Sequence, residues 1–141
     1  MEKRMAYGGF IKQLHDDFEK QANNLLRAQG LTMAQFGVLV ELSLTAEKQM
    51  PLKALERRLH VAQSTAAGIV VRLEQKGLVE SLGDAEDRRI KLVRITAKGE
   101  EYFLRADQDM ARTEEWLLSA LTDQEQNTLY GLLEKLCSTL S

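Results

Sequence analysis

Apolar residues between Met50 and Gly99 follow two different periods along the chain. As far as Gln75 they recur every three or four residues, which is the period of a helix with one buried face. These positions are Leu52, Leu55 and Leu59, then Ala66, Ile69, Val70 and Leu73. Gly77 ends the pattern, and residues 78–82 and 90–95 have the apolar content of two strands joined by a polar turn at 83–89. Helix, turn, helix and hairpin, in this order, form a winged helix-turn-helix.

Two helices are predicted before this module. The first runs from about residue 9 to 28, with an apolar stripe at Phe10, Ile11, Leu14, Phe18, Ala22 and Leu25. After Gly30, a capping box at Thr32 and Gln35 predicts the start of a second helix that ends near Leu44. Residues 45–50 are a polar connection, and Pro51 suits the first turn of the next helix.

Two more helices are predicted after the module. One begins at Thr96, and the last follows a capping box at Thr122 and Glu125, with leucines at 129, 132, 133, 136 and 140. The apolar stripes are wider than one small module needs, so we expect two copies of the chain to bury them, although the first helix could equally cover its own core. The expected fold is mainly α (α+β), with six helices and a small antiparallel β-hairpin. We expect a single domain over residues 1–141, with the winged module at about 32–99 and dimerisation helices at about 9–28 and 97–140.

Charge is distributed unevenly along the chain. The formal net charge is −2, but residues 51–99 contain ten basic and six acidic side chains, a net +4, which leaves −6 for the remainder. A basic middle between acidic ends favours one DNA-facing surface on an acidic scaffold. The alternative is that any chain of mixed charge shows such fluctuations.

Several other classes of protein are disfavoured. No apolar run approaches the roughly 18–20 residues that cross a bilayer, and no signal-peptide pattern opens the chain, so we expect a cytoplasmic protein without a membrane partner. His15, His60 and Cys137 lack metal-ligand spacing, and no catalytic motif is present, so we expect no metal, no cofactor and no enzyme activity. Cys137 is the single cysteine and lies among leucines, which favours a buried or dimer-facing thiol over a redox sensor.

The second helix of the module carries the candidate DNA contacts. Gln63, Ser64 and Thr65 occupy its first turn, where side chains reach base edges, and Arg72 lies two turns later, suited to a phosphate. Ser64 and Thr65 could instead be helix caps. The outward positions Ala67, Gly68 and Val71 are apolar. That apolar face supports an alternative function, a winged-helix protein-interaction module (an adaptor or anti-repressor) without specific DNA binding.

The segment from Asp87 to Gly99 (Asp-Arg-Arg-Ile-Lys-Leu-Val-Arg-Ile-Thr-Ala-Lys-Gly) resembles the wing of the multiple antibiotic resistance regulator (MarR) family of bacterial transcription regulators. Residues 59–65 and 72–79 are similar to the borders of that family's recognition helix, and the flanking helices are similar in order and length. The resemblance implies a dimer held by the first, fifth and sixth helices. Each subunit would place its recognition helix in the major groove, and its wing in the minor groove, of a pseudo-palindrome.

The resemblance also implies roles for single residues. Arg89 would enter the minor groove, Asp87 would orient that arginine or its neighbour, and Arg88 would contact the DNA backbone. The helix contacts would come from Gln63, Ser64, Thr65 and Arg72. The implied function is that of a homodimeric, sequence-specific regulator, most simply a ligand-responsive repressor that binds double-stranded DNA. Its small-molecule effector would lie between the dimer helices and the winged module, with Phe10, His15, Phe36, Tyr102 and Trp116 as candidate lining residues, although a place in the core is the more ordinary interpretation of all five.

Overall fold

Six helices and three short strands form the part of the chain, residues 3–87 and 89–140, that this computed structural model describes. In chain order they are α1 (Lys3–Arg27), α2 (Met33–Leu44), β1 (Gln49–Pro51), α3 (Leu52–Leu59), α4 (Gln63–Gln75), β2 (Val79–Gly83), β3 (Lys91–Ile95), α5 (Ala97–Leu117) and α6 (Asp123–Leu140). The mainly α winged helix-turn-helix is confirmed. Helix α1 begins about two turns earlier than the apolar stripe indicates, because Gly8 and Gly9 weaken the helical signal there.

Helix α2 is the centre of the fold. Its predicted capping box is present: the Thr32 hydroxyl accepts a hydrogen bond from the backbone N–H of Gln35 at 3.1 Å, and the Gln35 side chain accepts one from the N–H of Thr32 at 3.3 Å. Apolar residues on both sides of α2 are buried, and the helix contacts α1, α3, α4, α5 and β3. A helix with so little polar surface is stable only when neighbours surround it.

The core lies between α2, α4 and the sheet. Its fully buried side chains include Leu26, Leu39, Leu42, Leu55, Leu73, Leu78 and Val93. Each such side chain contributes roughly 1.5–3 kcal/mol by leaving water. The periodic positions predicted for α4 point inward as expected, with Ala66, Val70 and Leu73 buried. The packing therefore fixes which face of α4 remains outward.

The sheet has three antiparallel strands in the order β1-β3-β2, one more than the predicted hairpin. The additional strand, β1, lies partly in residues 45–50, which were predicted to be a polar connection. Pro51, predicted in the first turn of a helix, instead ends β1 opposite Leu92 and serves as the N-cap of α3. A three-residue edge strand is too short to show alternation, and the edge position tolerates a proline, which cannot donate a hydrogen bond. Strands β2 and β3 each begin one residue later than predicted.

A tight joint connects α5 to the end of α4. The Thr96 hydroxyl accepts from the N–H of Gly99 at 3.0 Å, as an N-cap, and donates to the carbonyl of Gly77 at 2.7 Å. A Cβ atom on Gly99 would overlap the carbonyl oxygen of Leu78 and would lie 2.7 Å from Cγ1 of Ile95. Only glycine therefore allows the first turn of α5 to approach the chain that enters β2.

We expect Gly99→Ala to lower the free energy of unfolding by about 1–3 kcal/mol, because the added methyl group must displace the backbone of Leu78. Urea denaturation followed by circular dichroism measures this. Gly131→Ala is the matched control, since a Cβ there meets nothing within 4 Å and alanine is the better helix former. Equal stability of the Gly99 variant and the wild type would contradict the close approach.

Candidate nucleic-acid interface

The turn between α3 and α4 is short and well defined. His60 ends α3 in the left-handed conformation, with φ of 54° and ψ of 43°. Its N–H donates to the carbonyl of Arg57 at 3.3 Å, and the N–H of Val61 donates to that of Glu56 at 3.2 Å. These bonds satisfy the last carbonyls of α3 and turn the chain into α4 within three residues.

Ala62 is the N-cap of α4, and no side chain within residues 3–87 or 89–140 caps the helix start. Ser64 and Thr65 therefore do not cap this helix, and both side chains are exposed together with that of Gln63. The first N–H groups of a helix have no partner within it and carry a partial positive charge. An uncapped, exposed helix start of this kind is suited to phosphate oxygens.

The predicted helix contacts share one accessible surface. Gln63, Ser64, Thr65 and Arg72 are all exposed. The first three lie in the opening turn of α4, and Arg72 lies two turns further along the helix. Their positions agree with those expected from the sequence, while their contacts to DNA stay a prediction.

The wing, formed by β2, β3 and the loop between them, is a hairpin held by hydrogen bonds of its own side chains. Glu80 lies opposite Arg94 in the register, and the carboxylate accepts from that guanidinium at 2.6 and 2.8 Å. At the tip, Asp84 Oδ1 accepts from the backbone N–H of Glu86 at 2.8 Å, which is an Asx turn. The N–H of Asp84 donates to the carbonyl of Ile90 at 3.1 Å and closes the loop. These bonds give the described residues at the two ends of the tip a defined turn geometry.

Asp87 holds Arg89 through three hydrogen bonds. The Arg89 Nε and Nη2 atoms donate to the two carboxylate oxygens at 3.1 Å each, and the backbone N–H of Arg89 donates to Oδ1 at 3.0 Å. Three of the five guanidinium N–H groups remain for another partner, and the Arg89 side chain is 91% exposed. The arginine is thus oriented by its neighbour while its outer edge faces solvent. Arg88, the third predicted wing residue, lies outside the described residues.

The ion pair between Asp87 and Arg89 also lowers the pKa of the Asp87 carboxyl group. The hydrogen bonds from the Arg89 side chain, and then from its backbone, lower the pKa of Asp87 below its ordinary value of 3.8. A carboxyl group with a lowered pKa contributes stability above its ordinary pKa and loses it as the pH falls through the lowered value. The clamp on Arg89 is therefore intact throughout the neutral range.

Helix α3 adds basic residues that were not among the predicted site residues. Lys53, Arg57 and Arg58 are exposed, and Arg58 lies 3.9 Å from Glu41. In a helix-turn-helix the first helix crosses the DNA backbone, so the order of the two helices is the signal that could have identified them.

The five candidate effector residues lie in different environments. Phe36 is buried and stacks on Phe103, with ring centroids 6.1 Å apart, and Tyr102 lies beneath the cations of Lys98 and Arg105. Phe10 and Trp116 are exposed. His15 is exposed, 3.2 Å from Glu19 and 3.4 Å from Asp16.

A surface concavity of about 610 Å³ lies between the end of α1 and the start of α2, and none of these five residues lines it. The single chain therefore shows no common cavity for them there, and their role stays a prediction. Cys137, expected to be buried or to face a partner, is exposed on α6 in the single chain. No helix of residues 3–140 has the length and apolar character of a membrane span, and no metal-binding cluster occurs in the described ranges.

Known proteins share this architecture. The model of the MarR family matches residues 31–91, from just before α2 to the start of β3. A crystal structure of a probable transcriptional regulator from Pseudomonas aeruginosa is 30% identical, covers 92% of this chain and 96% of its own, and has a TM-score of 0.81. The chain belongs to the MarR family.

Two further relatives bear on what this MarR-family protein does. A cysteine-to-serine mutant of MarR from Escherichia coli, solved in complex with operator DNA, is 27% identical over 95% of both chains, with a TM-score of 0.83. The transcriptional repressor MprA of Escherichia coli K12 is 28% identical over 118 residues, which are 84% of this chain and 67% of that protein. MarR-family proteins are DNA-binding transcriptional regulators, not enzymes, and this chain is one of them.

We expect Arg89→Ala to weaken binding to a DNA duplex by between about fivefold and a hundredfold, because the exposed wing cation that Asp87 orients is lost. Asp87→Asn should cause a smaller loss, since the guanidinium remains but its clamp is weakened. Fluorescence anisotropy at fixed salt measures both. Arg112→Ala is the matched control, because it removes the same charge from α5, outside the winged module. An Arg89 variant that binds as the control does would show that the wing assignment is wrong.

Proposed function

We propose that this MarR-family protein is a homodimeric repressor that binds a pseudo-palindromic operator and is released from it by a small molecule. The supporting observation is that one chain carries two different kinds of exposed surface. The winged module presents an uncapped helix start and an oriented arginine, while the flanking helices α1 and α6 present apolar faces that their own chain leaves uncovered.

The apolar faces support the homodimer. Helix α6 buries no residue, and four of its leucines are more than half exposed, namely Leu132, Leu133, Leu136 and Leu140. On α1, Phe10, Ile11 and Leu14 are between 52% and 65% exposed. Each of these side chains would contribute roughly 1.5–3 kcal/mol if it left water. A second copy of the chain offers the same surfaces and can bury them with two-fold symmetry.

The two-fold axis of the proposed dimer would determine the spacing of the two α4 helices on DNA. Two α4 helices related by it would enter consecutive major grooves about 10 bp apart, with Gln63, Ser64 and Thr65 nearest the base edges. Arg89 would reach the adjacent minor groove, whose negative potential attracts arginine. Arg72, with Lys53 and Arg57 of α3, would contact phosphates and fix the register.

Release by a ligand requires two dimer geometries with different affinities for the ligand. Phe10 on α1 and Trp116 on α5 are exposed aromatic residues on the proposed dimer helices, and Tyr102 lies nearer the winged module on α5. We therefore propose that an aromatic or apolar effector acts between these helices, with His15 and Phe36 as further candidates. Such a ligand would favour a spacing of the two α4 helices that does not match the operator.

The test is binding of the full chain to the DNA upstream of its own gene, measured by gel shift from about 50 to 200 mM salt. The proposal expects one discrete complex, and an affinity that falls steeply with salt because phosphate contacts release counterions. Binding that is absent, or unchanged by salt, would contradict it.

We expect Leu136→Glu to convert the dimer to monomers and to lower DNA affinity, because a carboxylate in the centre of an apolar interface is not solvated. Light scattering after size-exclusion chromatography measures the mass, and anisotropy measures the affinity. Ser138→Glu is the control, because it adds the same charge to the opposite side of α6. A Leu136 variant that remains dimeric would remove α6 from the interface.

A further inference from the structure

The outermost stripe of α4 is apolar at its centre. Ser64, Gly68, Val71 and Gln75 follow each other at spacings of four, three and four residues, so they lie on one line along the helix. All four are exposed, and the line lies opposite the buried face of α4. The stripe is therefore polar at both ends, with Gly68 and Val71 between them. We refer to these two residues as the α4 apolar patch.

Gly68 has no function in the fold of the described residues. A Cβ atom placed on it meets nothing within 4 Å, and its backbone is ordinary helix rather than the left-handed conformation that favours glycine. Glycine inside a helix is less stable than alanine at the same position. Close approach of the backbone to another molecule is a physical reason for glycine that would offset this cost.

Val71 indicates the chemistry of that other molecule. It is a large apolar side chain, 45% exposed, one turn beyond Gly68 on the same line. The edges of base pairs in the major groove carry one apolar group, the 5-methyl group of thymine. A helix without a side chain at position 68 can approach the groove closely enough for Val71 to contact that methyl group.

We propose that the α4 apolar patch reads thymine methyl groups in the major groove and so determines part of the operator sequence. The inference rests on the proposed function, in which α4 lies in that groove. The surroundings of the patch fit a nucleic-acid partner: Ser64 and Gln75 supply hydrogen-bonding groups, Arg72 supplies a charge, and the helix start is uncapped. A docked protein would need about 800 Å² of surface from each partner, far more than two residues offer.

The first experiment uses duplexes that the wild-type protein selects from a random-sequence library. Each thymine of the best duplex is replaced in turn by deoxyuridine, which pairs identically but lacks the methyl group. At one or two positions in each half-site, wild-type affinity should fall about fourfold, the effect of exposing one methyl group. Val71→Ala should bind the thymine duplex more weakly and should no longer distinguish thymine from deoxyuridine at those positions.

Arg72→Ala is the matched control, because a phosphate contact carries no sequence information. It should weaken binding of the thymine and deoxyuridine duplexes equally. Retention of the full methyl effect by Val71→Ala, or no methyl effect at any thymine in the wild type, would overturn the inference.

Gly68→Ala provides an independent test, in which we expect the melting temperature to rise and the DNA affinity to fall. Its melting temperature should rise by about 2–5 °C, since alanine favours the helix. Its DNA affinity should fall about tenfold, since the added methyl group holds the helix away from the groove. Unchanged affinity in this variant would also overturn the inference.

The outcomes distinguish a failure of the thymine-reading inference from a failure of the proposed function. Selection of a salt-sensitive duplex without a methyl effect would leave the proposed function standing and remove the reading of thymine. Failure to select any duplex would contradict the proposed function, and the inference would fall with it.

Discussion

Helix α6 buries no residue against its own chain, so the free energy that stabilises it must come from another surface. This need to remove leucine side chains from water is the constraint on which the rest of the proposal depends. The apolar half of α1 faces the same requirement. If both are met by a second copy of the chain, the distance between the two DNA-reading helices follows from the geometry of that contact.

The winged module is linked directly to those outer helices. The first turn of α5 donates to the end of α4 twice, from the Thr96 hydroxyl to the carbonyl of Gly77 and from Lys98 Nζ to that of Lys76 at 2.9 Å. Lys76 in turn donates to the Gln35 side chain at the start of α2 at 2.9 Å. A rotation of α5 at a dimer interface would therefore move α4 as well, since protein interiors are close-packed and transmit displacement. This joint would give the proposed ligand control a physical path to the DNA.

Periodicity predicted most of the fold, because its apolar stripes are strong. The stripe at Ala66, Val70 and Leu73 correctly identified the buried face of α4. Of the predicted outward positions, Gly68 and Val71 are exposed, whereas Ala67 is half-buried because it lies nearer the edge of the buried face. The pattern did not reveal β1, whose three residues form a strand only because β3 supplies their partner. Apolar character alone also could not separate Phe36, which is core, from Phe10, which is exposed. Both are aromatic residues on helical stripes, and only the tertiary structure distinguishes them.

The candidate site was only partly predicted, for a related reason. The wing motif is a local signal: its resemblance to the MarR family implied that Asp87 would orient Arg89 or its neighbour, and the structure shows Asp87 accepting hydrogen bonds from Arg89. A pocket assembled from distant helices of two chains has no such local signal, so the effector residues stay a prediction. The function proposed for Gly68 could not be inferred from the sequence alone, because only the structure shows that nothing in the described fold needs a glycine there.

The measurement that tests the central claim most directly is a hydroxyl-radical footprint of the protein on its selected duplex. Two subunits joined by their outer helices should protect two patches of sugars, symmetric about one centre, on the same face of the DNA and about 10 bp apart. A single protected patch, or two patches without a common two-fold centre, would contradict the account.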